Sequence, residues 1–150
     1  MVLGRDARDV PAGQTRDYIF GYTILNDVSA RDVQTAHKQW YFGKSLDGFT
    51  PIGPCIVTAD AFADYPPRLG IRSFVNGEKR QDSNTALQIF DIDHVVAELS
   101  QGMTLKAGTI IATGTPAGVG MGMDPPQFLK PGDVVRCEID GIGTLTNPVK

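Results

Sequence analysis

The chain has 150 residues, of which 41% are hydrophobic and 8% aromatic, and it carries a formal net charge of -3 at pH 7. A chain of this length and composition is typical of one globular domain. The slight acidic excess predicts neither nucleic-acid binding nor attraction to an anionic membrane, and no apolar run reaches the roughly 20 residues that a membrane-spanning helix needs. We therefore expect a soluble, cytoplasmic protein whose partners are small molecules.

The first half of the chain predicts two strands around one helix. The apolar and aromatic run YIFGYTIL (18–25) predicts a buried strand. SARDVQTAHKQW (29–40) has helical composition, with Ser29 as a possible N-cap and an acidic residue three positions later, as in a capping box. The strand is therefore expected to end just before this helix begins. GPCIVTAD (53–60) predicts the next strand.

Turn signals organise the second half of the chain. Asn76-Gly77 lies between two extended segments and predicts a two-residue hairpin, and a second hairpin is predicted around Asp140-Gly141. Between them, residues 91–102 have apolar side chains at helical spacing, with an aspartate cap and a glycine stop. Residues 109–120 begin as an apolar strand and continue into a glycine-rich loop. Because 17 glycines and 10 prolines disfavour long helices, we predict a β-rich α+β fold with few short helices.

Several familiar chemistries lack support in the sequence. GTPAGVGMG (114–122) resembles a phosphate-binding loop, but no lysine follows at the required spacing. His37 and His94 lack the spacing of zinc ligands, so we predict surface or hydrogen-bonded side chains, and no nucleophile elbow supports a Ser-His-Asp triad. Cys55 and Cys137 lie far apart, so we expect buried, reduced thiols.

Carboxylate, amine and hydroxyl groups remain as candidates for a site. Asp27 lies where the strand meets the helix, where a carboxylate suits a hard cation such as Mg²⁺ or, alternatively, caps the helix. Lys44 lies in a glycine- and proline-rich segment, either as a reactive amine or as a solvated surface residue. Thr113 and Thr115 flank Gly114 after the predicted apolar strand, where they either receive a substrate carboxylate or form an ordinary turn.

Five segments carry a resemblance that covers nearly the whole chain, about residues 18–149. They are GYTILNDVSARDVQ, KSLDGFTPIGP, VNGEKRQDSNT, TGTPAGVG and LKPGDVVRCEIDGIGTLTNPV. In this order they resemble the C-terminal catalytic domain of the fumarylacetoacetate hydrolase family, and most closely its 2-hydroxyhepta-2,4-diene-1,7-dioate isomerases, acylpyruvate hydrolases and oxaloacetate decarboxylases. The resemblance implies a mixed β-roll or sandwich, usually dimeric, and an enzyme that uses Mg²⁺ or Mn²⁺ on 2-oxo acids or their enols.

The resemblance also implies roles for single residues. Asp27 matches a metal ligand, Gln34 and Thr115 match substrate-contacting positions, with Gly114 beside the latter, and Lys44 matches a catalytic or charge-stabilising lysine. In the implied reaction a metal-chelated 2-oxo acid forms an enolate, and Lys44 adds positive charge near the developing oxyanion. Hydrolysis of a C–C bond, decarboxylation and isomerisation all share such an enolate.

One feature of the family pattern is missing from this sequence. Family members bind the metal with a Glu-x-Glu pair on a strand upstream of the point where this chain opens as MVLGRD, and neither glutamate is present. We therefore expect residues 1–150 to be a single, N-terminally truncated domain that, with Asp27 alone, binds metal weakly or not at all. Two hypotheses stay open: a homodimeric enzyme of the kind that degrades aromatic compounds, or a catalytically silent domain that is structural or needs a partner to complete the metal site.

Overall fold

A three-stranded sheet carries the first group of candidate residues. The computed structural model describes residues 1–36 and 38–150 of the chain. Strands β1 (Val2–Leu3), β2 (Ile19–Leu25) and β3 (Ile52–Thr58) pair antiparallel in the order β1-β2-β3. The short helix α1 (Arg31–Ala36) follows β2, as the sequence predicted. A functional side chain placed just after β2 therefore lies between the end of this sheet and the start of a helix.

The second sheet has four strands in the order β5-β4-β6-β7, again with antiparallel pairs. Its strands are β4 (Gly70–Val75), β5 (Glu78–Asn84), β6 (Val134–Ile139) and β7 (Gly143–Pro148). Asn76 and Gly77 have φ angles of 52° and 85°, so both residues adopt the left-handed conformation that a type I′ hairpin turn requires. Both predicted hairpins are confirmed.

The helix α2 (Ile92–Ser100) packs its apolar side against the core, and Val96 is completely buried. Its N-terminus is closed by Asp91, whose side chain accepts a hydrogen bond from the backbone N–H of His94 at 2.8 Å. Gly102, two residues after the last helical residue, has a φ of +73°, which suits glycine beyond a helix end. The predicted cap and stop are both confirmed.

The two sheets share one apolar core. Leu3 and Ile24 are almost fully buried in it, and the Tyr22 ring meets the Phe62 ring edge to face at 5.5 Å between centroids. Ile139, on the second sheet, packs against the same cluster. The protein is therefore a β-rich α+β sandwich with few short helices: the composition predicted the β-rich character, and the family resemblance implied the sandwich.

Some sequence predictions were wrong in detail. The apolar run at 109–112 does not form a strand: Ile110 makes one isolated bridge with Val2, and the following residues have no ladder. Cys55 is exposed rather than buried, whereas Cys137 is half-buried, and both thiols are free. His94 is exposed and stacks on Phe90, as predicted for a surface histidine. His37 lies outside the described residues. Among helices within the described ranges, none is long and apolar enough to cross a bilayer.

Candidate active site

Asp27, Ser29 and Lys44 form a hydrogen-bonded group beside the end of β2. The Lys44 ammonium Nζ donates to Asp27 Oδ2 at 2.5 Å and to Ser29 Oγ at 3.0 Å. The Ser29 hydroxyl in turn donates to the Asp27 backbone carbonyl at 3.2 Å. The side chains of Lys44 and Asp27 are 28% and 37% exposed, so the ion pair is open to a ligand from solvent. The structure thus brings two of the predicted site residues into direct contact.

The segment that carries Lys44 is fixed at several points. Lys44 ends a 3-10 turn, Phe42–Lys44, and its carbonyl accepts a hydrogen bond from Thr50 Oγ1 at 3.0 Å. The carbonyl of the preceding residue, Gly43, accepts from the backbone N–H of Ala30 at 2.8 Å. A Cβ added to Gly43 would lie 2.8 Å from the backbone nitrogen of Gln34, so only glycine permits α1 to approach this turn so closely.

Gln34 lies on α1 and is a buried residue, 6% exposed. Its Oε1 accepts a hydrogen bond from Arg31 Nη1 at 2.9 Å. The residue that the family resemblance assigned to substrate contact is therefore packed behind the Lys44 turn, with its carbonyl oxygen already satisfied by a guanidinium. Its substrate contact stays a prediction.

Thr115 and Gly114 lie in a different part of the chain, in the loop that follows Ile111. Thr115 Oγ1 accepts a hydrogen bond from Gln81 Nε2, on β5, at 2.8 Å, and Gly114 has a φ of +102° that favours glycine. Within residues 1–36 and 38–150, no hydrogen bond joins Thr115 to Asp27 or Lys44. The candidates therefore form two groups, one beside the end of β2 and the other in a loop that contacts β5.

The donors around Asp27 do not by themselves fit a magnesium or manganese ion. Mg²⁺ takes about six oxygen ligands at near-octahedral geometry. In the part of the chain that the structure describes, no group of three or more His, Cys, Asp or Glu side chains is placed to hold a metal. The Asp27 carboxylate is also already paired with the Lys44 ammonium. Asp27 can offer one carboxylate oxygen, and any further ligands have to come from other groups.

Ser29 does not cap the helix, and two further residues, Thr50 and Gln81, support the site. The helix begins at Arg31, and the carbonyl of Ala30 accepts the first helical hydrogen bond, from Gln34, so Ser29 lies too early to cap it. Its hydroxyl instead joins Asp27 and Lys44. Thr50 and Gln81, which hold the Lys44 segment and Thr115, lie within two of the segments that carry the family resemblance, but no role was assigned to either. The Ser29 contact could have been suspected from its spacing, two residues after a candidate carboxylate.

This arrangement can stabilise negative charge. An ammonium has three N–H donors, and two of those on Lys44 are directed at Asp27 and Ser29. The third can be donated to an oxygen of a bound ligand. Because an ionised donor forms a stronger hydrogen bond than a neutral one, an anionic oxygen beside Lys44 would be favoured.

The family model described as fumarylacetoacetate (FAA) hydrolase C-terminal matches residues 1–150. Among curated proteins, the chain is 47% identical over 149 residues to oxaloacetate tautomerase YisK of Bacillus subtilis, and the match covers 99% of this chain and 49% of the relative. It is 49% identical over 147 residues to a Staphylococcus saprophyticus protein of uncharacterised function, covering 98% of this chain and 48% of that protein. The chain thus spans about half the length of these curated relatives.

Solved structures give the same match. The fumarylacetoacetate hydrolase from psychrophilic Exiguobacterium antarcticum superposes with a TM-score of 0.95 at 51% identity, over 99% of this chain and 53% of that one. The 2-hydroxyhepta-2,4-diene-1,7-dioate isomerase from Mycobacterium marinum gives a TM-score of 0.86 at 48% identity, over 98% of this chain and 54% of that one. The fold and the sequence therefore point to one family.

Proposed function

Since this chain belongs to the fumarylacetoacetate hydrolase family, we propose that it supplies the Lys44-bearing part of an enzyme that acts on 2-oxo acids or their enols. The reaction class is C–C bond hydrolysis, decarboxylation or isomerisation through an enolate. Relatives are named as an oxaloacetate tautomerase and as a 2-hydroxyhepta-2,4-diene-1,7-dioate isomerase, which supports isomerisation. The observation that carries the proposal is the partly exposed Lys44 ammonium, held by Asp27 and Ser29 at the end of β2.

Lys44 stabilises the enolate through its remaining N–H. An enolate concentrates negative charge on the former carbonyl oxygen, and a donor already oriented toward that oxygen needs no reorganisation during the reaction. Asp27 and Ser29 keep the ammonium in place, and Thr50 holds the backbone of Lys44. Thr115 and Gly114, in the other group, bind the carboxylate of the substrate in this proposal. The ligand of the protein in this proposal is thus a small 2-oxo acid.

The proposal also includes the cofactor and the assembly that the family resemblance implies. Mg²⁺ or Mn²⁺ would supply Lewis-acid chemistry when bound, with Asp27 contributing one oxygen. Further ligands would have to come from other groups, because the described residues hold no cluster of three His, Cys, Asp or Glu side chains placed for a metal. Residues 1–150 as a single domain, a cytoplasmic location and a homodimer stay predictions. The single domain is supported by the core that the two sheets share.

Turnover of the enol form of oxaloacetate tests this function. The enol is supplied to the purified chain in the presence of Mg²⁺, and its absorbance is followed as it converts to the keto form. Lys44→Met, which keeps the stem and removes the charge, is expected to lower kcat about 100-fold, as removal of one oxyanion donor does in other enzymes. Lys79→Met is the matched control, since Lys79 pairs with Asp82 on β5. Equal rates for Lys44→Met and Lys79→Met would refute the role of Lys44.

A second candidate function is a catalytically silent domain that needs a partner to complete its metal site. The lone Asp27 carboxylate favours it. Titration calorimetry of the chain with Mg²⁺ and with Mn²⁺ separates the two hypotheses. Submillimolar binding that is lost in Asp27→Asn contradicts the silent domain, whereas no heat of binding together with no turnover supports it.

A further inference from the structure

Gln81 on β5 makes three hydrogen bonds that fix the orientation of its side-chain amide. Its Nε2 donates to the Pro116 carbonyl and to Thr115 Oγ1, each at 2.8 Å, and its Oε1 accepts from Ser73 Oγ at 2.7 Å. A flipped amide would set Oε1 against the Pro116 carbonyl, two acceptors at 2.8 Å. Because a carbonyl can only accept, the nitrogen has to face Pro116 and therefore also Thr115.

A β-bulge brings Gln81 to this position. Phe74 pairs with Lys79 and Ser73 pairs with Gln81, so Arg80 is the extra residue on β5. The Arg80 carbonyl then lies directly under the loop that carries Thr115. A Cβ on Gly118 would be 2.1 Å from that oxygen, so the loop rests on the bulge through a glycine. The bulge thus determines how closely the loop approaches β5 and which residue lies beneath Thr115.

The direction of the Gln81–Thr115 hydrogen bond determines what Thr115 can do. The Gln81 Nε2 has no lone pair to offer, so the Thr115 oxygen accepts and its own hydrogen remains available to another acceptor. Thr115 is exposed, so that acceptor can be a ligand from solvent. We infer that Gln81 is a positioning residue that makes the Thr115 hydroxyl a donor toward the carboxylate of the substrate. This assignment rests on the proposed function, in which Thr115 binds that carboxylate.

Replacing the amide by a carboxylate tests the assignment. In Gln81→Glu the side chain can no longer donate, so the Thr115 hydroxyl turns to donate to the new carboxylate and is lost to the substrate. Kd for oxalate, a small dicarboxylate that resembles a 2-oxo acid enolate, is measured by calorimetry in the presence of Mg²⁺. KM and kcat are measured with enol oxaloacetate. We expect Gln81→Glu to weaken oxalate binding and to raise KM, each about tenfold or more, with kcat changed less than KM.

Two further variants and an unfolding measurement distinguish the positioning of Thr115 by Gln81 from an effect of the added negative charge and from a loss of stability. Asn84→Asp makes the same amide-to-carboxylate change on the same strand and keeps the oxygen that accepts from the Ala86 N–H, so we expect an unchanged Kd and KM. In a Thr115→Val background there is no hydroxyl to position, so Gln81→Glu should change Kd and KM less than twofold further. Denaturant unfolding midpoints report separately on any loss of stability.

The outcomes distinguish this assignment from the proposed function. A wild-type chain that neither binds oxalate nor converts enol oxaloacetate overturns the proposed function, and the assignment falls with it. If the wild-type chain binds oxalate or converts enol oxaloacetate, two results overturn the assignment alone. One is that Gln81→Glu leaves Kd and KM unchanged. The other is that Gln81→Glu weakens binding equally in the Thr115→Val background. A loss confined to chains that keep Thr115 supports it.

Discussion

Gly43→Ala is expected to separate α1 from the turn that carries Lys44. A Cβ at this position would lie 2.8 Å from both the Cβ and the backbone nitrogen of Gln34, and 2.9 Å from the Ala30 carbonyl oxygen. To reach an ordinary contact of 3.4 Å, the helix and the turn have to move apart by about 0.6 Å, and backbone atoms account for two of the three clashes. Overpacking of this kind costs about 1–3 kcal/mol in the free energy of unfolding.

The displacement also acts on the site, because Lys44 is the next residue and its ammonium lies 3.0 Å from Ser29 on the far side of the gap. We therefore expect Gly43→Ala to lower both the free energy of unfolding, measured by urea denaturation, and the rate of enol conversion. Gly122→Ala is the matched control, since its Cβ would meet only Val119 Cγ2 at 3.7 Å. If Gly43→Ala and Gly122→Ala unfold at the same urea concentration, close packing of α1 on the turn is not what holds this region.

Three further predictions concern stability. Tyr22→Phe should raise the free energy of unfolding by about 1 kcal/mol in a urea titration, because the Tyr22 hydroxyl is buried with no partner among the described residues. Burial also raises the pKa of Tyr22 to about 12, above its ordinary value of 10.0. The unfolded chain therefore ionises first, so wild type should lose stability between pH 10 and 12 more steeply than Tyr22→Phe; equal slopes would contradict this. Asp91→Ala removes the N-cap of α2 and should cost about 1 kcal/mol on urea unfolding, whereas Asp91→Asn, which keeps the acceptor for the His94 N–H, should cost clearly less. Asp133 accepts hydrogen bonds from the Asn76 side chain and from the Lys130 N–H, which hold the pKa of its carboxyl below the ordinary 3.8. The ionised Asp133 carboxylate therefore stabilises the fold above pH 3.8, and this stabilisation is lost on further acidification. Asp133→Asn should make the free energy of unfolding fall less steeply below pH 3.8. An unchanged slope in that pH range would refute this.

Local signals predicted the two helices and both hairpins, whereas contacts between distant segments could not be derived from them. The Asn76-Gly77 turn was readable because a two-residue hairpin demands two residues that tolerate positive φ. A regular continuation of that hairpin would pair Ser73 with Arg80, and only the bulge shifts the partner to Gln81. Nothing local in the sequence marks such a bulge, so the hydrogen bond between Gln81 and Thr115 was not foreseen.

In the candidate site, too, the sequence identified single residues but not the contacts between them. Asp27 and Lys44 were identified as candidates, through the family resemblance and through their positions beside a strand and in a loop. Their mutual contact spans 17 residues and depends on how Gly43 packs on α1 and on the hydrogen bond from Thr50. Ser29 was predicted as a helix cap because its residue type favours that role, but the helix begins one residue too late for it. Tertiary contacts thus decided which role each polar side chain has.

The most direct test of the Lys44 site is the rate at which the unmodified chain converts enol oxaloacetate to the keto form, compared with buffer that contains the same Mg²⁺ concentration. An acceleration above that buffer that falls about 100-fold in Lys44→Met and persists in Lys79→Met is the predicted result. A rate equal to that of buffer, from a chain shown by circular dichroism to be folded, would contradict enolate stabilisation by Lys44 in this chain.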